Sequence, residues 1–320
     1  MSSTKSIKQR IKSTKSTAQI TKAMEVVSAN KMRKAQEFAL RARPYAVAAF
    51  EMLGNLLDRT PQLPALLTVR PIKRIMLIVV TSDKGLAGAL NTNVLRKAEQ
   101  ELQEKQMQGI PVTIVPVGKK AKEYFSARGG SALGGEKQKI VIEKSFQDFG
   151  DYSSLEDTLP VAELALQGFL NNSWDAVEVV YTNFRTTLLQ EVAIRTVLPV
   201  TRAGITTMVA GILPERGKFA EKPTPHTLHP THYSYEYKFE PSPEEILNEL
   251  VSQLLRINVH HIILESNASE HSARMVAMKN ASESATELID TLTLVFNKAR
   301  QANITRELTE ITAGAEMLQN

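Results

Sequence analysis

EEILNELVSQLLRINVHHIILESNASEHSARMVAMKNASESATELIDTLTLVFNKARQANITRELTEITA, residues 244–313, contains neither proline nor glycine. Proline costs a helix interior about 3 kcal/mol and glycine about 1, so this stretch predicts one long helix. Stepping alternately by four and three, its seam reads Ile257, His261, Leu264, Ala268, His271, Met275, Met278, Ser282, Ala285, Ile289, Leu292, Phe296 and Ala299. That is heptad spacing, which winds helices around a partner in a left-handed supercoil. At about 1.5 Å per residue the run would reach roughly 100 Å, longer than a compact domain is wide.

The other end of the chain offers a partner. Residues 1–43 also lack proline and glycine, and Ile7, Ile11, Thr14, Ala18, Thr21, Ser28, Met32, Ala35, Ala39 and Ala42 recur at near-heptad spacing, broken at Glu25. These side chains are mostly small, so two backbones can approach closely while burying little apolar surface per turn. Up to Arg43, eleven lysines and arginines stand against Glu25 and Glu37, whereas from Glu244 onward eleven acidic residues outnumber six basic ones. Two solvated faces could carry such charges, but opposite charge with shared spacing favours pairing. Pro44 predicts a kink or interruption. Tyr45 to Leu57 continues at helical spacing, and residues 60–71, with Pro61, Pro64 and Pro71, read as a linker.

From Lys73 the period changes. Ile75 to Val80 is a continuous run of the kind buried on both faces of a parallel sheet. Further strands are expected at 112–117, 140–142 and 176–182, with an extended segment within 187–200. Helices are expected at 91–107, 119–127 and 155–170, and a flexible break at 129–135. Residues 202–233 read as a long loop and Tyr235 to Phe239 as a short strand. Glu244 and Glu245 suit the first turn of the last helix. The fold class is therefore α/β: a Rossmann-like domain with a mainly parallel sheet plus a long antiparallel coiled coil of the terminal helices. The expected division is 1–58, 72–240 with an insertion at about 202–234, and 244–320.

The 320 residues, 42% of them hydrophobic, suffice for one or two domains. The best apolar run, Ile75 to Thr81, falls far short of the ~18 residues of a membrane span. The basic, polar start predicts no secretory signal. Absence of cysteine excludes disulfides, thiol catalysis and Cys-ligated zinc, and fits a reducing compartment.

Asp83 to Asn91 follows a strand and precedes a helix, where anions commonly bind, but it lacks both glycine-rich phosphate signatures. A turn needing glycine's backbone freedom is the better reading. His226, His229 and His232 lie among prolines, which denies them helical geometry for a metal. His261 and His271 fall on the seam and read as packed or hydrogen-bonded residues. The basic N-terminal segment lacks aromatic residues for base stacking, which disfavours nucleic-acid binding. No catalytic, cofactor or metal site is expected.

Three stretches together resemble the gamma subunits of rotary F-type ATP synthases. They are Ile20-Thr-Lys-Ala-Met-Glu-Val-Val27 with Asn30-Lys-Met-Arg-Lys-Ala-Gln36, then Thr81-Ser-Asp-Lys-Gly-Leu-Ala-Gly-Ala-Leu-Asn91, and finally Ser272-Ala-Arg-Met-Val-Ala-Met-Lys279 with Asn297-Lys-Ala-Arg-Gln-Ala-Asn-Ile-Thr-Arg-Glu-Leu-Thr-Glu-Ile-Thr-Ala-Gly-Ala315. The resemblance implies a non-catalytic central rotor stalk that couples ion flow to ATP synthesis or hydrolysis on other subunits. Its implied partners are a ring of alpha and beta subunits, the epsilon subunit and the membrane c-ring, with no cofactor. It further implies a peripheral location on the cytoplasmic side of a bacterial plasma (inner) membrane. On the matching positions, Arg300, Gln301, Thr305, Glu307 and Glu310, with Met24 opposite, would touch the beta-subunit catch loops. Tyr237, Phe239 and Glu240 would form the foot that faces the c-ring and epsilon. The two-cysteine switch of chloroplast forms cannot operate in a chain without cysteine.

Overall fold

The computed structural model describes residues 4–41, 52–53, 63–128, 141–201 and 242–319. Outside the described residues lie Pro44, most of the apolar patch at 45–57, the break at 129–135, the insertion at 202–234 and the expected strand at Tyr235 to Phe239. The chain divides into two compact units, one of Met1–Ala29 with Arg274–Asn320 and one of Asn30–Ala273. Two helices run through both: α1 (Thr4–Arg41) and α5 (Pro243–Gln319).

The larger unit is built on strands β1 (Ile75–Val80), β2 (Val112–Val117), β3 (Val141–Ile142), β4 (Ala176–Phe184) and β5 (Gln190–Leu198). Between them come helices α2 (Leu90–Met107), α3 (Lys119–Arg128) and α4 (Leu155–Leu170). Every strand and helix expected between Lys73 and Val200 is present. The sheet runs β3-β2-β1-β4-β5, parallel except for the antiparallel β4–β5 hairpin. All of β1 is buried because successive side chains serve opposite layers. Met76, Ile78 and Val80 face α4 and the first part of α5, through Phe169, Leu254, Val259 and Ile263. Leu77 and Val79 face α2 and α3, through Val94, Ala98 and Phe125. Helices thus cover both faces, as a mainly parallel sheet requires.

Local chemistry sets the ends. Ser154 caps α4 reciprocally with Asp157, and the Ser242 hydroxyl accepts the Glu245 N–H at 3.2 Å at the start of α5. The last part of the expected linker is ordered: Ala65–Leu67 form a 3-10 turn, and Leu66 and Leu67 are buried in the core.

The start of α5 departs from the seam reading. Leu247, Val251, Leu254, Leu255, Val259, Ile262 and Ile263 belong to the core of the α/β unit, and residues 261–266 are buried without interruption. A sheet and α4 press on this part of the helix, so a single heptad stripe cannot describe it. Ile257, the first residue of the expected seam, is only half-buried.

In the smaller unit the seam is as expected. Along α5, Met275, Met278, Ser282, Ala285, Ile289, Leu292, Phe296 and Ala299 are buried or half-buried, while nearly every residue between Lys279 and Arg300 off the seam is exposed. Along α1 the expected positions Ile7, Ile11, Thr14, Ala18, Thr21 and Ser28 are buried or half-buried, as are Met24 and Glu25, the latter paired to Lys22 at 2.9 Å. The Ser282 hydroxyl approaches the Ala18 carbonyl at 3.4 Å, a side-chain contact to backbone that only small seam residues permit. α1 leaves this unit at its C-terminal side and α5 enters it from its N-terminal side, so the pair is antiparallel.

Candidate functional site

Open α/β sheets bind ligands beyond the carboxyl ends of their strands, where the strand order reverses. In this sheet that point lies between β1 and β4. A cavity of about 50 Å³ lies beside it, past the ends of β1 and β2, lined in part by Thr81, Ser82, Asp83, Lys84, Gly118, Asp151 and His271. Asp83 and Thr81 in its lining are held by backbone N–H groups around it. The Asp83 carboxylate accepts the Lys119 N–H at 2.8 Å and the Asp148 N–H at 3.0 Å, and Thr81 Oγ1 accepts the Ala121 N–H at 2.8 Å. The first turn of α3, whose N–H groups would otherwise attract an anion, is therefore already capped by a carboxylate.

The Asp83 to Asn91 turn folds on itself in the same way. Ser82 N–H donates to Asn91 Oδ1 at 3.0 Å, Asn91 Nδ2 donates to Ser82 Oγ at 2.7 Å, and the Ser82 hydroxyl donates to the Lys84 carbonyl at 2.6 Å. Gly88 has φ +58°, the left-handed conformation that the glycine predicted; Leu86 shares it at φ +64°. Ligand pockets usually enclose about 300–1,000 Å³. This cavity is too small, and its fixed carboxylate has the wrong sign, for a phosphate-bearing substrate.

A second polar group lies buried between α5 and the sheet. His261 Nδ1 and Glu265 Oε1 are 3.7 Å apart, and the Arg195 guanidinium stands 5.3 Å from the Tyr181 ring. Burial pushes the Glu265 carboxyl up to about 7, against the opposing pull of Arg195. Burial, with Arg195 and His260 adding to it, pushes the His261 imidazole down to about 3. Desolvation likewise drives the Tyr181 phenol upward. Both His261 and Glu265 are therefore neutral in mildly acidic solution and do not form an ion pair. The expectation that His261 and His271 are packed residues agrees with their burial. His226, His229 and His232 lie outside the described residues.

The residues of the expected catch sit on a different surface. Arg300, Gln301, Thr305, Glu307 and Glu310 are all exposed, as is every described side chain from Arg300 to Gly314. Met24 on α1 is half-buried, and Tyr237, Phe239 and Glu240 lie outside the described residues. The Thr305 hydroxyl donates to the Gln301 carbonyl at 3.0 Å, fixing its rotamer against the preceding turn. At about 100° per residue, Arg300, Glu307 and Glu310 share one side of the helix, and Gln301 and Thr305 another. Between them run Ile304, Leu308 and Ile311, which are 48%, 58% and 67% exposed. This apolar stripe is rotated by roughly 100° from the seam that ends at Ala299. Sequence reading missed it. The signal was there in the four-then-three spacing of Ile304, Leu308 and Ile311, masked by the polar residues that continue the old seam.

A family model described as ATP synthase matches residues 3–318. The ATP synthase gamma chain of Roseiflexus castenholzii is 40% identical, covering 99% of each chain, and that of Chloroflexus aurantiacus is 39% identical, again covering 99% of each. Among solved structures, a chain of the Euglena gracilis mitochondrial ATP synthase OSCP/F1/c-ring assembly superposes with a TM-score of 0.62 at 19% identity, over 98% of this chain and 94% of that one. A chain of the Tetrahymena thermophila central stalk and c-ring gives 0.55 at 23% identity, over 82% of this chain and 99% of that one.

Proposed function

The chain belongs to the ATP synthase gamma chain family, and from that premise we propose that it is the central rotor stalk. The family makes it a non-catalytic subunit of the enzyme complex. The supporting observation is α5 itself, a single helix of 77 residues. Its first part is bound into an α/β core, its middle pairs with α1, and its described side chains from Arg300 to Gly314 are all exposed. An exposed end that polar and apolar stripes share suits insertion into a bearing.

In this reading the terminal segments, 1–58 and 244–320, form the shaft, and 72–240 forms the base. The shaft turns inside a ring of alternating alpha and beta subunits. The base meets the epsilon subunit and the c-ring, with Tyr237, Phe239 and Glu240 in the foot. Ion flow turns the c-ring, the shaft turns with it, and its uneven surface drives the three beta sites through different nucleotide affinities. Arg300, Gln301, Thr305, Glu307 and Glu310 are the polar contacts to the catch loops, with Met24 near them. In this reading the chain lies on the cytoplasmic side of a bacterial plasma (inner) membrane, held there through the c-ring alone. No helix among the described residues is long and apolar enough to cross a membrane.

The test is reconstitution with alpha and beta subunits. The chain should co-purify with them, and an isolated, fully active monomer would exclude the rotor. In the assembled complex, Thr305→Ala or Glu307→Ala should lower coupled ATP turnover roughly fivefold, the rate equivalent of about 1 kcal/mol from one lost polar contact. Unchanged rotation and turnover in both variants would remove these residues from the catch.

A further inference from the structure

A shaft made of two helices passes torque well only if both are held by the base. Within the larger unit one carboxylate touches both. Asp151 Oδ2 is 2.6 Å from Lys31 Nζ on α1, and Asp151 Oδ1 is 3.5 Å from His271 Nε2 on α5. α1 enters this unit at Asn30 and α5 leaves it after Ala273, so each contact lies two residues or fewer inside the boundary. The neighbouring residues strengthen the grip. Tyr152 lies with its ring 5.8 Å from that of Phe38, and Asn267 Nδ2 donates to the Ser153 hydroxyl at 3.3 Å.

The loop that carries Asp151 is itself anchored, because the Asp148 N–H donates to Asp83 at 3.0 Å and the Ser153 hydroxyl to the Phe149 carbonyl at 3.1 Å. The β4–β5 hairpin also holds α5: the Ser272 hydroxyl donates to the Thr187 carbonyl at 2.7 Å. Burial would raise the Asp151 carboxyl, but Lys31, helped by His271 and Lys84, brings it below the usual carboxylate range. It is an anion at neutral pH.

We propose that Asp151 is a positioning residue of the rotor, a clamp that ties α1 and α5 to the base together so that torque enters both helices at once. Desolvation offsets much of the attraction in a partly buried ion pair, so its net stabilisation of the fold is small. Without the clamp, α5 would remain held by its core residues and the hairpin, whereas α1 would lose its ion pair to the base. The shaft should then twist more for the same torque. This inference rests on the rotor reading.

The experiment measures torsional stiffness in assembled alpha-beta-gamma complexes, from the angular fluctuations of a probe on the base while ATP turnover is stopped, alongside unloaded and loaded rotation. Asp151→Ala is expected to lose stiffness and to slow under viscous load while unloaded ATP hydrolysis stays at the wild-type rate. Asp151→Glu should restore stiffness. Asp151→Asn keeps the shape and an acceptor, so it serves if the alanine variant fails to assemble; it should lose stiffness to a lesser degree. Wild-type stiffness in Asp151→Asn and Asp151→Ala, with normal hydrolysis, would overturn the clamp. Failure of the wild-type chain to assemble or rotate would instead overturn the rotor reading.

Discussion

Glu265 and His261 titrate in opposite senses. In the unfolded chain Glu265 ionises near its ordinary 4.5, but in the folded chain only at about 7. Between those values the folded state holds the extra proton, so this residue makes stability fall as pH rises, by on the order of 3 kcal/mol across the window. His261 is the reverse: its ordinary 6.5 drops to about 3, so the unfolded state binds the proton and stability rises with pH over that span. The two slopes cancel where the windows overlap. Glu265→Gln should therefore uncover a rise in melting temperature up to about pH 6.5, and His261→Gln a fall from about pH 4.5 to 7; flat profiles in both would refute the assignment. A steric prediction stands beside this one. A Cβ at Gly168 would lie 1.9 Å from the Trp174 indole, whose Nε1–H donates to the Ala165 carbonyl at 3.1 Å. Gly168→Ala should cost about 1–3 kcal/mol by overpacking and shift the fluorescence of the single tryptophan. Neither site was legible in the sequence: Glu265 was one charge among many, and Gly168 one glycine inside a helix. Their meaning comes from the sheet and the indole that press on them.

Among the elements, legibility followed whether one simple period or run describes the buried positions. β1 and β2 stand where their apolar runs begin and end, and α4 where its capping residues put it. The seam was legible from Met275 to Ala299 because only one face of α5 is covered there. Between Leu247 and Ile263 several faces are covered at once, and a single period cannot show that. The contrast can be measured. Met278 is 6% exposed and Leu288 48%. Met278→Ala should destabilise by about 2–3 kcal/mol and quicken amide exchange along α1, while Leu288→Ala should stay within about 0.5 kcal/mol. Equal effects would mean that the seam does not hold the helices together.

For the whole molecule, the exposed tip separates folding from assembly. Replacing Ile304, Leu308 and Ile311 together by serine should leave the free chain's denaturation midpoint unchanged, because these residues are exposed. The same triple variant should associate more weakly with alpha and beta subunits in a titration; unaltered affinity would take the stripe out of the bearing. The pairing of α1 with α5 also has a consequence for synthesis. Positions 1–29 leave the ribosome some 245 residues before Arg274 follows. At about 5–20 residues per second that is a wait of roughly ten to fifty seconds. From Thr14 to Ser28 the seam is Thr, Ala and Ser, so that stretch of it offers little apolar surface of its own to a chaperone or a wrong neighbour during that time. The thin seam thus suits a nascent chain that must keep its first segment unclaimed until its last one is made.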